Sequence, residues 1–481
     1  MTDTTKSSPA GFLGTAFGRL VLSLLLTTPL FLLPYLRLPG IDPDALRSVF
    51  EASGNAPLTQ FSVAALGIQP LLTAFFLVEL LALAVPRLRW RRLSGSWPRR
   101  PLTVGALLLG GAIALVQAFF VSRWLEGASD SGLGGLLTGE GWAFRLPVLM
   151  ALVGGVSVLA ACAHAIRRWG LGNGYSWLLA ASVVGSMVET VYASQRRIEL
   201  GDTGPRNLLL GVAVLAAFAW GCHRLARERP WLDVQLAEGL RLQPLLPTSG
   251  MAPLLVVSSL LLLVVQLAKL VPSLAGPADG LAPGSTAYLV AELVLLSGAV
   301  LLLSLAFYPP GRVLRFFEEL AGRLGRTVTV SRATLAPPLR RAALVSLGLL
   351  VLLPLVYHFI DRRPFFYSPR ALLPDLHEWV VLVMVFLDLH REWRARRADP
   401  SLTVVWELHR LYAVTPIREL LEARGIPVTL RGLQHRRLLY FFGPFVPVEL
   451  MVPATRAAEA EALIAEWSGL EAVDEPAAAP P

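Results

Sequence analysis

Apolar stretches about as long as a lipid bilayer is thick recur along the whole chain. A helix that crosses a bilayer needs roughly 20 apolar residues. Of the 481 residues, 54% are hydrophobic and 16% are charged, which is too apolar for a soluble domain of this length. The sequence therefore predicts an all-α polytopic membrane protein. We place ten transmembrane helices at residues 16–36, 68–86, 102–122, 143–166, 174–195, 207–226, 252–272, 286–307, 341–360 and 377–390.

Arginines are concentrated in the predicted loops that follow the second and the eighth spans. The chain has a formal net charge of +9, and basic residues accumulate in the cytoplasmic loops of membrane proteins. This asymmetry predicts that both termini lie in the cytoplasm. Arginines beside lipid-facing helices are topology determinants, so we infer no nucleic-acid partner. The arginines of these two loops include Arg87, Arg89, Arg91, Arg92, Arg312, Arg315, Arg323 and Arg326.

Composition divides the chain into a membrane part and flanking segments. Residues 1–15 form a polar N-terminal segment, and residues 16–393 hold the ten predicted spans. A basic run at 391–397 marks the end of the membrane part. Residues 401–470 then change to short strand and helix patterns, which predicts a separate soluble domain. We expect the tail, residues 471–481, to be disordered.

The C-terminal segment predicts a small α+β domain with the element order βαββα. Gly425 is a helix stop signal, and Ile426 and Pro427 begin the next strand. This arrangement resembles the small prokaryotic "putative signal transducing" domain, in which a similar helix ends at a Gly-Ile-Pro strand start. The predicted strands are 402–408, 426–430 and 446–452, and the predicted helices are 415–424 and 454–467.

Three short motifs in the membrane part carry a resemblance to a known family. They are a glycine-dense turn at 168–176 (RWGLGNGYS), the sequence LPGID at 38–42 and the sequence ALGIQP at 65–70. In their order along the chain these motifs resemble SecY, the bacterial protein-conducting channel. The resemblance extends from about Phe17 to Trp393 and implies two pseudo-inverted halves of five helices each.

The resemblance also implies a narrow throat in the middle of the bundle. In the family, apolar side chains from the second, fifth, seventh and tenth helices form a ring, which stops ions by dewetting and deforms around a passing peptide. Tyr175 departs from the aliphatic pattern, because its hydroxyl can either hold water or bond a carbonyl and fill space. Without the resemblance, packing in a bundle core would explain these positions. The corresponding residues are Ile68, Leu72, Tyr175, Leu179, Leu255 and Val381.

A lateral exit toward lipid is implied between spans two and three on one side and spans seven and eight on the other. Helix breaks at Pro70 and Pro253 suit such a seam, since proline in a first helical turn loses no hydrogen bond. Glu79 is a candidate functional carboxylate, and the alternative is a protonated acid bonded to Gln117 that only sets helix register. The polar residues placed along this seam are Glu79, Gln117, Ser258 and Ser259.

Two features depart from the family pattern. The loop between the first two spans has space only for a short helix at 43–51, which predicts a reduced or absent plug. The loops after the sixth and eighth spans lack the basic hairpin tip and the Pro-Gly-Ile-Arg-Pro-Gly element with which relatives engage the ribosome and SecA. The resemblance implies unfolded polypeptide as the substrate and SecE-like and SecG-like subunits as partners in the bilayer. It leaves open whether SecA or the ribosome docks.

The sequence contains no Walker phosphate loop, no His-Glu-x-x-His zinc motif and no Gly-x-Ser-x-Gly elbow. We therefore predict no enzyme activity, no cofactor and no metal site. The predicted function is a SecY-like channel of the bacterial inner membrane that translocates or inserts polypeptides. Two alternatives stay open, namely a secondary transporter of a small solute, which would need a polar cluster near the midplane, and a non-conducting scaffold or sensor derived from such a channel.

Overall fold

The computed structural model describes residues 14–52, 61–85, 88, 96–130, 137–201, 205–226, 232–254, 285–361, 376–440 and 446–468, with isolated positions between 257 and 281. Residues 1–13 of the predicted N-terminal segment and the predicted tail 471–481 lie outside these residues. Helices occupy the predicted spans that are described in full, and helical residues also lie at 252–254, where the seventh predicted span begins. The bundle helices are α1 (Ala16–Leu32), α3 (Gln69–Ala84), α4 (Ser96–Asp130), α5 (Trp142–Trp169), α6 (Gly174–Glu199), α7 (Pro205–Ala226), α8 (Thr286–Phe307), α10 (Arg332–Asp361) and α11 (Leu376–Ala398).

Several of these helices satisfy the length and composition that a bilayer requires. Among the described residues, five helical segments are long and apolar enough to cross a membrane, and shorter apolar helices accompany them. The prediction of a mostly helical membrane protein is confirmed, and the count of ten spans stays a prediction. The five segments are Ala16–Tyr35, Pro101–Gly127, Trp142–Trp169, Thr286–Arg323 and Arg332–Val356.

A short helix follows the first span, where the sequence predicts one at 43–51. This helix, α2, runs from Pro43 to Ala52. The Asp42 carboxylate caps the N terminus of this helix, because its Oδ1 accepts hydrogen bonds from the backbone N–H groups of Asp44 (2.8 Å) and Ala45 (3.0 Å). Residues 53–60 are outside the described part of the chain.

The glycine-dense turn between α5 and α6 lets these two helices approach each other. Asn173 caps α6, since its side-chain oxygen accepts from the N–H groups of Tyr175 (3.0 Å) and Ser176 (3.3 Å). A Cβ added at Gly174 would collide with the backbone of Ala163 on α5. The turn thus requires glycine here, and it fixes the position of Tyr175 in the first turn of α6.

Two adjacent glycines on α5 offer a sharp test of this close packing. A Cβ at Gly155 would lie 2.5 Å from the carbonyl oxygen of Val63, whereas a Cβ at Gly154 would meet nothing within 4 Å. We expect Gly155→Ala to destabilise the protein by about 1–3 kcal/mol, because overpacking displaces backbone. Gly154→Ala is the matched control and should be neutral or stabilise by about 0.5–1 kcal/mol. Thermal unfolding in detergent would measure both, and equal midpoints would contradict the expectation.

A second layer of structure lies at one end of the bundle. It contains the antiparallel hairpin β1 (Val234–Ala237) and β2 (Leu240–Leu242), the amphipathic helix α9 (Pro310–Arg323), and the C-terminal unit, which we define as Thr403–Ser468. The unit is an antiparallel three-stranded sheet in the order β3-β5-β4 with helices around it. Its elements are β3 (Thr403–Leu408), α12 (Leu411–Ala423), β4 (Thr429–Arg431), α13 (Leu433–Leu438), β5 (Val448–Val452) and α14 (Ala457–Ser468).

The C-terminal unit differs from the prediction in the bounds of its elements and in one added helix, and the second strand covers Thr429–Arg431 rather than 426–430. Helix α12 begins at Leu411 rather than at 415, because Leu411 and Tyr412 are buried in the core and extend the helix backward. The short helix α13 lies between β4 and β5, where the sequence predicts no helix. Its six residues are all buried although four of them are polar or charged, so apolar periodicity could not indicate it.

The C-terminal unit shares one hydrophobic core with two loops of the membrane part. Leu236 and Leu240 of the hairpin and Phe316 of α9 belong to the same buried cluster as Leu421 of α12 and Trp467 of α14. The hairpin follows the sixth predicted span, and α9 follows the eighth. Both of these loops are therefore covered by the unit.

Candidate functional site

The predicted ring residues that the structure describes lie inside the bundle. Ile68, Leu72, Tyr175 and Val381 are buried in one hydrophobic cluster to which α3, α6 and α11 contribute, and Leu179 packs against it. The ring of Tyr175 meets Phe75 edge-on with 5.1 Å between centroids, which joins α6 to α3. Leu255 lies outside the described residues.

One of the four residues of the predicted lateral seam lines a cavity. Glu79 is buried on α3 and lines a cavity of about 240 Å³. Pro253, at the start of the seventh predicted span, and Phe307, at the end of α8, line the same cavity. The rest of the lining is apolar. Gln117 is half-buried on the adjacent α4, so both roles suggested for Glu79 stay open, and Ser258 and Ser259 lie outside the described residues.

The basic residues of the second layer divide into two groups. Arg312 and Arg315 are exposed on α9. Arg323 instead donates to the carbonyl oxygen of Glu466 on α14 (2.7 Å), and Arg326 donates to that of Glu238 in the hairpin turn (2.6 Å). The second pair therefore holds the layer together. The four predicted arginines Arg87, Arg89, Arg91 and Arg92 lie outside the described residues.

A segment of the C-terminal unit, Arg431–Tyr440, reaches the end of the bundle, and we call it the docking segment. Its helix α13 begins against α11, where the carboxylate of Asp388 accepts hydrogen bonds from the N–H groups of Gln434 (2.9 Å) and His435 (2.7 Å). The first N–H groups of a helix have no partner within the helix. Asp388 therefore supplies the N-terminal cap of α13 from a different element.

Other contacts join the docking segment to α6 and α7. The hydroxyl of Ser176, in the first turn of α6, bonds Nδ1 of His435. Arg437 donates to the carbonyl oxygen of Leu225 near the end of α7 (3.0 Å). These contacts place the docking segment against the residue that directly follows Tyr175 of the predicted ring.

The end of the docking segment contacts the seventh and eighth predicted spans. The N–H of Met251 donates to the carbonyl oxygen of Leu438 (2.7 Å). The hydroxyl of Tyr440 donates to that of Tyr308 (3.0 Å), and its ring stacks on Phe307 with 4.4 Å between centroids. We call the bundle end that is formed by Ser176, Leu225, Met251, Tyr308 and Asp388 the mouth of the bundle.

Arg431 is the centre of a buried ion-pair network beside the mouth. Its guanidinium pairs with Glu392 of α11 (3.1 Å) and with Glu449 of β5 (2.9 Å), and it also donates to the carbonyl oxygen of Gly172. Glu392 pairs further with Arg396 (2.7 Å) and accepts from the N–H of Gly172 (2.8 Å). Burial opposes ionisation of Glu392, but Arg431 and Arg396 hold its pKa below the usual range.

His435 is held in its neutral form within this interface. It is fully buried, and among the described residues Nε2 has no hydrogen-bond partner. Burial, together with the charge of Arg436, lowers the pKa of His435 to about 3. A protonated imidazole would need two acceptors, and the site provides none for Nε2 among these residues. The interface is therefore built for the uncharged side chain.

No signal in the sequence singled out the docking segment. Its polar composition, Gln-His-Arg-Arg, has the character of a solvated loop. Its partner Asp388 lies near the end of the tenth predicted span. A carboxylate at such a position is a functional candidate, but its partner could not be deduced from the sequence.

The geometry agrees with a comparison of the sequence with known families. The family model for SecY matches residues 62–313, which is more than half of the chain. This protein belongs to the SecY family. The matched region contains all predicted ring residues except Val381, and it ends before α11 and the C-terminal unit.

Curated relatives that carry the SecY name match this chain over part of their length. "Protein translocase subunit SecY" of Aquifex aeolicus is 28% identical over 280 residues, covering 53% of this chain and 65% of the relative. That of Thermus thermophilus is 28% identical over 213 residues, covering 41% and 47%. That of Escherichia coli K12 is 29% identical over 197 residues, covering 38% and 43%. The matches thus span between about two fifths and two thirds of these SecY proteins.

A solved structure is also similar to this SecY-family chain. It is described as Sec61 in the canine ribosome-channel complex from the endoplasmic reticulum. The similarity covers 79% of this chain and 93% of that chain, with a TM-score of 0.42 and 12% sequence identity.

Proposed function

We propose that this protein is a channel that passes unfolded polypeptide across the bacterial inner membrane, or releases apolar segments sideways into it. Membership of the SecY family, whose model matches the region that holds all predicted ring residues except Val381, carries the proposal. Ten spans in two pseudo-inverted halves and cytoplasmic termini belong to it. The protein then acts as a conduit rather than an enzyme, because a partner must supply the energy.

Burial of the ring positions supports the proposed path. Ile68, Leu72, Tyr175 and Val381 come from sequence-distant helices yet join one apolar cluster. An apolar constriction excludes ions because water leaves it, and flexible side chains can still deform around a peptide. Tyr175 contacts Phe75 through its ring, which is consistent with a space-filling role.

The proposed partners are those of the SecY family, except that the C-terminal unit restricts how a motor or a ribosome can bind. A SecE-like subunit would brace the two halves, and a SecG-like subunit would accompany it. The hairpin β1–β2 and α9, which follow the sixth and eighth predicted spans, share their core with the C-terminal unit. A ribosome or a SecA-like motor that binds these loops would therefore have to bind around the unit or displace it. The unit itself, if it is the signal-transducing domain that it resembles, would give this channel a regulatory input.

Photocrosslinking of a stalled secretory chain tests the channel. A photoreactive residue at Leu72, which is 9% exposed in the ring cluster, should crosslink to the stalled chain. The matched control is Leu108 on α4, which is 71% exposed on the outside of the bundle and should give only background. Equal background at both positions in folded, reconstituted protein would contradict the channel and favour a non-conducting scaffold.

The scaffold is the second candidate function, and one observation favours it. The docking segment fills the mouth of the bundle, so a permanently docked unit would leave a SecY-like bundle without a path. A secondary transporter is not favoured, because the family that matches is SecY. Loss of crosslinking at Leu72 under every condition, including those that undock the segment, would decide for the scaffold.

A further inference from the structure

The docking segment lies next to two of the three helices that carry described ring residues, α6 and α11. Ser176 is adjacent in sequence to Tyr175, and it contacts His435. Asp388 lies seven residues after Val381 on α11, which corresponds to about 10 Å along a helix, and it caps α13. Both helices thus present ring positions and docking contacts within two turns of each other.

Apolar residues continue from the ring into the docking segment. Leu438 and Leu439 are 2% exposed and belong to the same hydrophobic cluster as Leu72 and Tyr175. Val446, two residues before β5, belongs to this cluster as well. The segment therefore completes the core of the bundle at the mouth instead of resting on its surface.

A close backbone approach fits the segment to the mouth. Gly250, just before the seventh predicted span, has a φ of +62°, and a Cβ there would lie 2.5 Å from the carbonyl oxygen of Leu438 and 3.0 Å from the ring of Tyr440. The N–H of Met251 bonds the same carbonyl. A larger residue at 250 would push the segment out, so glycine is required both by its conformation and by this contact.

We propose that the mouth of the bundle is a binding site for the protein's own docking segment, which acts as a releasable stopper of the channel. This inference rests on the proposed function, because a stopper needs a path to close. The segment contacts α6, α7, α8, α11 and the start of the seventh predicted span, so a polypeptide cannot enter the ring from this end while the segment is docked. Release of the segment opens that route.

The chemistry of the interface supports release. Its charged side chains Asp388, Glu392, Arg431 and Arg437 are buried in the docked arrangement. Buried ion pairs recover little net energy because their desolvation is expensive. In water each of these groups would be hydrated. Hydration of these charges therefore offsets part of the cost of exposing Leu438 and Leu439 on undocking, and partly polar interfaces within a chain permit relative motion.

Release must involve the rest of the C-terminal unit. Docking segment and sheet are continuous, since β4 ends at Arg431 where the segment begins. The unit also shares its apolar core with α9 and the β1–β2 hairpin. A protein that binds α9 and separates it from the unit would weaken both contacts, which couples binding at these loops to opening of the mouth.

Cysteine accessibility tests the stopper without requiring translocation. In a background with Cys162 and Cys222 replaced by alanine, Leu179→Cys places a thiol at a predicted ring position. This position is about one helical turn further along α6 than Ser176. A membrane-impermeant methanethiosulfonate reagent is added from the side of the C-terminal unit. Replacement of residues 433–440 by a glycine-serine sequence of the same length should accelerate labelling by about tenfold or more, because the mouth is then open. Equal rates with and without the segment would overturn the proposal.

A reversible lock guards against misfolding of the replaced variant. In the same background the double variant Ser176→Cys, His435→Cys joins two side chains that are in contact, so oxidation should trap the docked state. A stalled secretory chain should crosslink to a probe at Leu72 after reduction and not after oxidation. Crosslinking in the oxidised protein would overturn the stopper and leave the channel standing. Absence of crosslinking in both states, and in the replaced variant, would instead contradict the proposed function.

A second tether tests whether the whole unit must move. The long Arg323 side chain reaches the backbone carbonyl of Glu466 at an exposed contact away from the mouth, so a bifunctional maleimide of matching length can join Arg323→Cys to Glu466→Cys. Because release involves the whole unit, this tether between α9 and α14 should also suppress crosslinking at Leu72. Unchanged crosslinking would overturn the coupling between α9 and the mouth.

Discussion

Replacement of Arg431 by alanine should destabilise docking of the C-terminal unit by about 3–5 kcal/mol, which is the usual effect of removing one partner from a buried ion pair. Arg431 pairs with both Glu392 and Glu449, and all three side chains are less than 9% exposed. The substitution leaves Glu449 with the half-buried Arg167 as a partner (3.3 Å) and Glu392 with Arg396. Glu392 and Glu449 then have one arginine fewer to balance their negative charges in a buried site.

Native-state hydrogen exchange measures this effect directly. Amides of β4 and β5 should lose about a hundredfold or more of their protection, because each 1.4 kcal/mol corresponds to a factor of ten. Arg424→Ala is the control, since Arg424 is exposed in the same unit and its loss should change stability by no more than about 0.5 kcal/mol. Equal protection in the two variants would show that the network does not hold the unit.

The pH dependence of the Arg431 variant follows from the pKa of Glu392. Arg431 and Arg396 hold that pKa below its ordinary value of 4.5, despite burial. The stabilisation that a depressed carboxyl pKa represents is present above the unfolded value and is lost as pH falls through the folded value. The deficit of Arg431→Ala relative to the unaltered protein should therefore be largest near neutral pH and shrink as pH falls below 4.5.

The sequence predicts the features that depend mainly on residues that are close to each other along the chain. Apolar stretches of bilayer length predict the helices, because a helix satisfies the hydrogen bonds of its own backbone in lipid. Asn173 and the glycines around it mark a helix cap and a close crossing, and both are realised at Tyr175. The family resemblance then selected ring positions, of which four are buried in one cluster. Whether they line a path stays a prediction that the crosslinking experiment tests.

The docking segment could not be predicted, for a physical reason. Its side chains His435, Arg436 and Arg437 are buried by residues that are distant in sequence, such as Asp388 and Leu225. Local sequence patterns indicate a preference for water or for apolar surroundings, whereas Arg437 and the backbone of Gln434 and His435 bond to groups near the ends of bundle helices. The sequence places α12 four residues late for a related reason, since the buried Leu411 and Tyr412 extend it backward through tertiary packing.

Asp388→Ala is the second substitution from which we expect a large effect. The carboxylate of Asp388 accepts from the N–H groups of Gln434 and His435, and all three residues are buried. Alanine leaves two buried donors without an acceptor, at a cost of about 1–3 kcal/mol each, and also removes charge-assisted hydrogen bonds to the first turn of α13. We therefore expect the docking equilibrium to weaken by about a hundredfold, which is the factor that corresponds to about 3 kcal/mol.

The labelling rate of a buried thiol in the docking segment measures this change. Leu438→Cys, in the background without Cys162 and Cys222, places a thiol at a position that is 2% exposed, so a water-soluble maleimide reaches it only when the segment undocks. The rate should rise by about a hundredfold in Asp388→Ala, in proportion to the population of the undocked state.

Two variants control for the chemistry of the Asp388 substitution. Asp388→Asn retains one side-chain oxygen as an acceptor but loses the charge, so its labelling rate should lie between those of the unaltered protein and the alanine variant. Asp399→Ala removes a carboxylate that bonds only Ser401 beyond the end of α11, among the described contacts, and should leave the rate unchanged. A rate for Asp388→Ala that equals the rate for Asp399→Ala would mean that the cap does not hold the segment, and the closed mouth would then need another cause.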